Sequence, residues 1–175
     1  MTSQTPKVVQ VFAYGSNMLS SRIKARCPSA RVVAKAALHG YDLRWHKRSQ
    51  DGSGKCDVVA SDQPGSIVYG VLCEVSNVDK DALDQAEGLE KGYAEKLVTV
   101  FVDGASRAAS LYYATDVDAS LRPYVWYKEL VVAGAREHNL PRPYIERLQA
   151  TDAQEDPDRE RGEKNLGLAR GQLAK

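Results

Sequence analysis

The sequence has little from which to build a disulfide or a metal centre. Its three cysteines, Cys27, Cys56 and Cys73, are odd in number and far apart. That argues against a disulfide framework and offers no zinc-ligand spacing, so free thiols are expected. The three histidines, His39, His46 and His138, are scattered, and no metal site is expected from them. An excess of one charge is missing as well. Twenty-four Lys and Arg face 23 Asp and Glu, a net charge of +1, which gives no strong pull toward nucleic acid or a membrane surface. No apolar run approaches the length of a membrane span. Residues 1–6, Met-Thr-Ser-Gln-Thr-Pro, lack the charged start and apolar core of a signal peptide. A cytoplasmic protein is the expectation, with no nucleic-acid or membrane partner. No internal repeat is visible.

What is present suits a globular enzyme-sized chain. With 175 residues, 43% hydrophobic and 27% charged, one domain with a real core is expected over residues 1–150. From Thr151 acidic and basic residues crowd together with little to bury, so 151–175 reads as a charged tail or an exposed helix. Strands are expected at Val8–Ala13, Ala30–Leu38, Tyr41–Trp45, Asp57–Ser61, Ile67–Val75 and Tyr93–Val102, the last returning through Asp103-Gly104 to Ala108–Tyr113. Gly70 inside a strand suggests a bulge or a close approach to the backbone. Between Trp45 and Asp57, residues His46–Lys55 read as a polar loop carrying Lys47, Arg48 and Lys55 into solvent. Helices are expected at Ser20–Cys27, from Ser76/Asn77 to Glu87 with Val78, Ala82, Leu83 and Ala86 on its apolar face, at Tyr124–Asn139 with Pro123 in its first turn, and at Arg142–Gln149. This order argues for an α+β fold, a mixed or antiparallel sheet that curls into a barrel with flanking helices, rather than a doubly wound one.

The stretch Tyr14-Gly15-Ser16-Asn17 joins the first strand to the first helix. Gly15 is read as supplying conformational freedom, and Ser16 and Asn17 as capping the helix. Converging backbone N–H groups there suit a carboxylate or phosphate; on these four residues alone a plain capped turn is the alternative. Glu87 is the second unusual position. It precedes the breaker Gly88, and a negative charge at a helix C-terminus is unfavourable; such local conflicts gather at functional sites, while on these residues alone a solvent-exposed glutamate that costs little is the plainer alternative.

Four segments in order resemble the γ-glutamylcyclotransferase family: Phe12-Ala13-Tyr14-Gly15-Ser16-Asn17-Met18; Pro64-Gly65 followed by Val68-Tyr69-Gly70-Val71; Leu83-Asp84-Gln85-Ala86-Glu87-Gly88; and Tyr127-Lys128 leading to Gly134-Ala135-Arg136-Glu137-His138-Asn139-Leu140-Pro141. Together they span roughly residues 8–150. Cys56 stands where the family often has a small residue such as Ala.

The resemblance implies a barrel-like α+β fold and an enzyme that closes a γ-glutamyl-amino acid onto itself, yielding 5-oxoproline and the free amino acid. It implies Glu87 as the general acid/base. It implies a substrate-binding loop of Tyr14, Gly15, Ser16, Asn17, Met18 and Leu19, with Tyr127 as a further substrate contact. No cofactor or metal is needed, and the expected partner is a small γ-glutamyl molecule; a homodimer is left open. Glu90 and Glu95 compete as bases by chemistry alone, and both rank below Glu87. Ser16 as an acyl nucleophile lacks the Gly-x-Ser-x-Gly context. Two other readings are a related enzyme for γ-glutamyl-amines and a non-catalytic carboxylate-binding module.

Overall fold

A computed structural model describes residues 7–88 and 91–172. The expectations that concern residues 1–6, Glu90 as a base and residues 173–175 lie outside the described residues. Seven strands and five helices follow in the order β1 (Val8–Ala13), α1 (Ser20–Arg26), β2 (Arg31–His39), β3 (Tyr41–Arg48), β4 (Gly54–Ala60), β5 (Ile67–Ser76), α2 (Asn77–Glu87), β6 (Tyr93–Val102), β7 (Ala105–Ala114), α3 (Val125–Glu137), α4 (Arg142–Gln149) and α5 (Arg159–Ala169). A short 3-10 turn, Ser16–Met18, precedes α1.

Five strands close into a barrel in the order β1-β5-β2-β6-β7, and β3 pairs with β4 as a separate hairpin. The barrel is antiparallel except where β1 meets β7 in parallel at Val11 and Ser110. Closure removes the exposed edges that an open sheet would offer to other chains. Phe12, Leu38, Val68, Val71, Val75, Val100 and Leu111 are fully buried and form much of the core. Gly70 is where β1 presses hardest on β5. A Cβ there would lie 2.3 Å from the Ala13 carbonyl oxygen and 2.8 Å from the Phe12 ring, the close approach expected of a glycine inside a strand.

Several local expectations are corrected. The segment 46–55 is no solvated loop. β3 continues to Arg48, β4 begins at Gly54, and only a tight turn separates them. Lys47 and Lys55 sit opposite each other on this hairpin, and Lys47 is buried. α1 is not capped by Ser16 or Asn17. Its N-cap is Leu19, without a side-chain cap bond, and the Ser20 N–H donates instead to Glu137 Oε2 of α3 at 2.9 Å. Capping here is tertiary, so local sequence does not reveal it. Pro123 lies before α3 rather than in its first turn; Tyr124 is the N-cap. α2 keeps its expected Ser76 cap and its left-handed Gly88 terminus, but Val78 is 83% exposed and Leu83 alone is fully buried.

The C-terminal segment is docked by polar contacts. α5 buries no residue completely, yet Leu166 and Leu168 pack against the core. Asp156, its side chain only 2% exposed, accepts from Trp126 Nε1 at 2.7 Å and from Arg161 at 2.7 and 2.6 Å. Arg161 holds the Asp156 carboxyl down at about 2. A depressed carboxyl stabilises the fold above the ordinary aspartate range and loses that contribution as pH falls through its folded value. Asp156→Ala is therefore expected to lower Tm by about 5 °C at neutral pH and to expose α5 to limited proteolysis. Thermal melts followed by circular dichroism check the first, and a protease time course the second.

Candidate active site

The open end of the barrel beside α1 and α2 holds a cavity of about 180 Å³. Its wall joins residues far apart in sequence: Tyr14, Gly15, Ser16 and Asn17 from the turn after β1, Arg22 and Arg26 from α1, Lys47, Lys55 and Cys56 from the hairpin, Glu87 from α2, Tyr93 from β6, Tyr112 from β7 and Tyr127 from α3.

The turn is shaped by its neighbours more than by its own conformational needs. Gly15 has φ −108°, so left-handed freedom is not why glycine stands there. Space is the reason. A Cβ would lie 3.1 Å from Tyr127 Oη and 3.3 Å from Cys56 Cβ. The N–H groups of Met18 and Leu19 are occupied by the Gly15 and Ser16 carbonyls. Among the described residues, those of Gly15, Ser16 and Asn17 find no protein acceptor, which leaves three amide donors for an anion. Met18 and Leu19, expected in the substrate-binding loop, do not line the cavity. Both are buried, and the backbone of α3 at Gly134 presses against them.

Glu87 and the turn are in direct contact. Asn17 Nδ2 donates to Glu87 Oε1, and Asn17 Oδ1 accepts from Arg26 Nη1 at 2.8 Å. Arg26 itself stands 3.5 Å from Glu87 Oε1. The Glu87 side chain is 16% exposed. Burial pushes its carboxyl above the ordinary glutamate range, although Arg26, Arg22, Asn17 and Lys47 all act in the opposite direction. The unfavourable helix-end charge is thus met by the guanidinium of a different helix. Glu95, the other rival base within the described residues, points elsewhere and pairs with Lys80 at 2.8 Å.

The tyrosines form a buried lining held by main-chain groups. Cys56 N–H donates to Tyr127 Oη at 3.1 Å, and Tyr93 Oη donates to the Cys56 carbonyl at 2.9 Å. Tyr14 Oη donates to the Tyr112 carbonyl. Burial pushes the hydroxyls of Tyr14, Tyr93 and Tyr127 well above the usual tyrosine range, so they remain neutral. Cys56 is pushed up to about 12 by burial, which keeps it a thiol and a poor nucleophile. Ser16 Oγ accepts from Arg22 Nε at 3.0 Å, while His138 engages the Met18 carbonyl at 2.9 Å; no Ser–His couple is built around Ser16.

Arg22, Arg26, Lys47, Lys55, Tyr93 and Tyr112 were not among the expected site residues. For the arginines a signal was available. Like charges four apart on a short helix repel, and here both guanidiniums face the cavity. The lysines gave none, because their role depends on the hairpin register.

A barrel cavity that sets one buried carboxylate beside free amides and a ring of cations is the architecture of an acid–base enzyme for small anionic molecules. The AIG2-like family is matched over residues 67–148. The γ-glutamylcyclotransferase of Homo sapiens is 33% identical over 147 residues, covering 81% of this chain and 77% of the human protein. That of Bos taurus is 31% identical over 158 residues, covering 87% and 83%. A solved structure of a γ-glutamyl cyclotransferase superposes with a TM-score of 0.84 at 29% identity, covering 93% of this chain and 99% of that one. The chain belongs to the γ-glutamylcyclotransferase family, with the α+β barrel expected for it.

Proposed function

We propose that this γ-glutamylcyclotransferase uses Glu87 as the proton shuttle for ring closure, with the Gly15–Asn17 turn holding the substrate. The α-amino nitrogen of the γ-glutamyl group attacks its own γ-carbonyl carbon. The new C–N bond closes a five-membered lactam, 5-oxoproline. The old C–N bond breaks, and the amino acid leaves. The amine gives a proton to Glu87, and Glu87 returns one to the departing nitrogen.

The contact between Glu87 and Asn17 carries this reading. It puts the base next to amides that suit the substrate's α-carboxylate, with Arg22 alongside at Ser16. An ordinary glutamate at about 4.3 and an α-amine at about 8 differ by roughly 5 kcal/mol in proton affinity. Raising the carboxyl narrows that gap. Tyr127, whose oxygen already accepts from Cys56 N–H, keeps its own proton for the developing oxyanion. The three thiols are free and buried, as suits a reducing compartment, and we assign the activity to the cytoplasm. No helix among the described residues is long and apolar enough to cross a membrane.

The test is 5-oxoproline release from a panel of γ-glutamyl-amino acids. Its pH profile is expected to show an acid limb above the ordinary glutamate range, because Glu87 must lose its proton to act as base and its carboxyl is raised. An acid limb at the ordinary glutamate value would count against the assignment. A wild type inert on every member would leave a binding protein.

A further inference from the structure

Lys47 is the one cavity residue whose charge the reading above leaves unexplained. Four cationic side chains reach this cavity. Arg26 pairs with Glu87. Lys55 is held by Asp51 at 2.9 Å and Ser53 Oγ at 2.8 Å, under the rings of Trp126 and Tyr127. Arg22 holds Ser16 of the turn. Among the described residues Lys47 Nζ meets no carboxylate and lies only over the Tyr93 ring, 4.6 Å from its centre.

The fold goes out of its way to put this ammonium here. Lys47 and Lys55 are register partners on β3 and β4, so both side chains leave the same face of the hairpin, and like charges directly opposite are destabilising. Gly92 borders the ammonium: a Cβ there would lie 3.2 Å from Lys47 Nζ and 3.0 Å from its Cε, although φ +121° already favours glycine at that position. Among the described residues, the cavity thus presents two cations without a carboxylate partner, Arg22 at the turn and Lys47 on the hairpin.

We infer that Lys47 reads the carboxylate of the leaving amino acid and so sets a preference for γ-glutamyl-α-amino acids over γ-glutamyl-amines. The inference rests on the cyclotransferase reading above. A γ-glutamyl-amino acid carries two carboxylates. The turn amides and Arg22 serve the one on the glutamyl group. The other sits on the far side of the scissile amide and is the natural partner for Lys47. A γ-glutamyl-amine lacks it and leaves the lysine uncompensated.

The decisive pair of substrates is γ-glutamylalanine and γ-glutamylethylamide, which differ only by that carboxylate. Release of 5-oxoproline would be followed for the wild type, Lys47→Met and Lys47→Arg, with thermal melts confirming that each variant folds. The wild type is expected to favour γ-glutamylalanine by about tenfold to a hundredfold in kcat/KM. Lys47→Met loses that preference through a rise in KM for γ-glutamylalanine that γ-glutamylethylamide does not share, whereas any change in kcat from losing the lysine's charge near Glu87 falls on both substrates alike. Lys47→Arg keeps the preference. A Lys47→Met enzyme that slows equally on both substrates, or that retains the preference, overturns the inference. A wild type inert toward both overturns the parent reading and this one with it.

Discussion

Glu87→Gln is expected to lower kcat for 5-oxoproline release about a thousandfold while leaving substrate affinity nearly unchanged. The amide has the same length and shape as the carboxylate and still accepts from Asn17 Nδ2, which holds Glu87 against the turn. Arg26 keeps its bond to Asn17 Oδ1. The substrate pocket therefore stays built, and only proton transfer is lost. Glu87→Ala would be a poorer probe, because it removes the anchor of Asn17 along with the base. Steady-state kinetics on a γ-glutamyl-amino acid, with calorimetric binding of the same compound, separates the two effects. A fall in affinity that accounts for most of the lost activity would make Glu87 a binding residue.

The same substitution has an opposite effect on stability. A buried carboxyl raised above its ordinary range holds its proton more tightly in the folded chain than in the unfolded one. Ionising it weakens the fold as pH climbs from the ordinary glutamate range through the raised value, and the deficit persists above it. Glutamine never pays that penalty. Glu87→Gln should melt at a higher temperature than the wild type at neutral pH, and the difference should vanish once the wild type is acidified below the ordinary glutamate range. Melting curves at matched pH values check this. A base poised for proton transfer is thus a local weakness of the fold, the usual conflict between activity and stability.

How far the sequence reveals this molecule depends on how local each feature is. Val8–Ala13 and the Asp103-Gly104 hairpin carry their own periodicity and punctuation and fold as those signals say; the Ser76-to-Gly88 helix keeps its two ends but not its apolar face, since Val78, Ala82 and Ala86 are exposed. The barrel follows from strand number and order. Glu87 and the Tyr14–Asn17 turn stand out locally only as a misplaced charge and a glycine-containing strand-to-helix turn; the family resemblance is what singles them out, and the structure brings the two into contact. Lys47 and Lys55 are not legible, because nothing local distinguishes a lysine facing a cavity from one facing solvent. Only the pairing of Lys47 with Lys55 across the hairpin decides it. The α1 cap was hidden for the same reason: Glu137, which supplies it, lies 117 positions away.

Gly134→Ala is expected to cost roughly a hundredfold in kcat/KM while the protein still folds. In an open helix this change stabilises by nearly 1 kcal/mol, since alanine is the better helix former. At Gly134 a Cβ would lie 2.6 Å from Leu19 N, 2.7 Å from Met18 Cβ and 2.8 Å from Met18 C. Two of those three atoms are backbone, so no side-chain rotation relieves the overlap, and an ordinary contact of 3.4 Å or more requires the turn or α3 to move by about 1 Å. Overpacking of this kind costs about 1–3 kcal/mol, which offsets the helix gain and leaves a modest net loss. The shift itself matters more. Met18 and Leu19 close the turn through Gly15 and Ser16, so displacing them moves the turn whose Asn17 contacts Glu87, and a misplacement near 1 Å costs about a hundredfold in rate. Gly162→Ala on α5 is the control. Its nearest neighbours, Asp156 Cβ and Trp126 Cδ1, would be 3.8 Å away, so the same chemical change should raise Tm and leave the kinetics alone. If Gly134→Ala behaves like Gly162→Ala, α3 does not set the position of the turn, and the close fit between them has no part in catalysis.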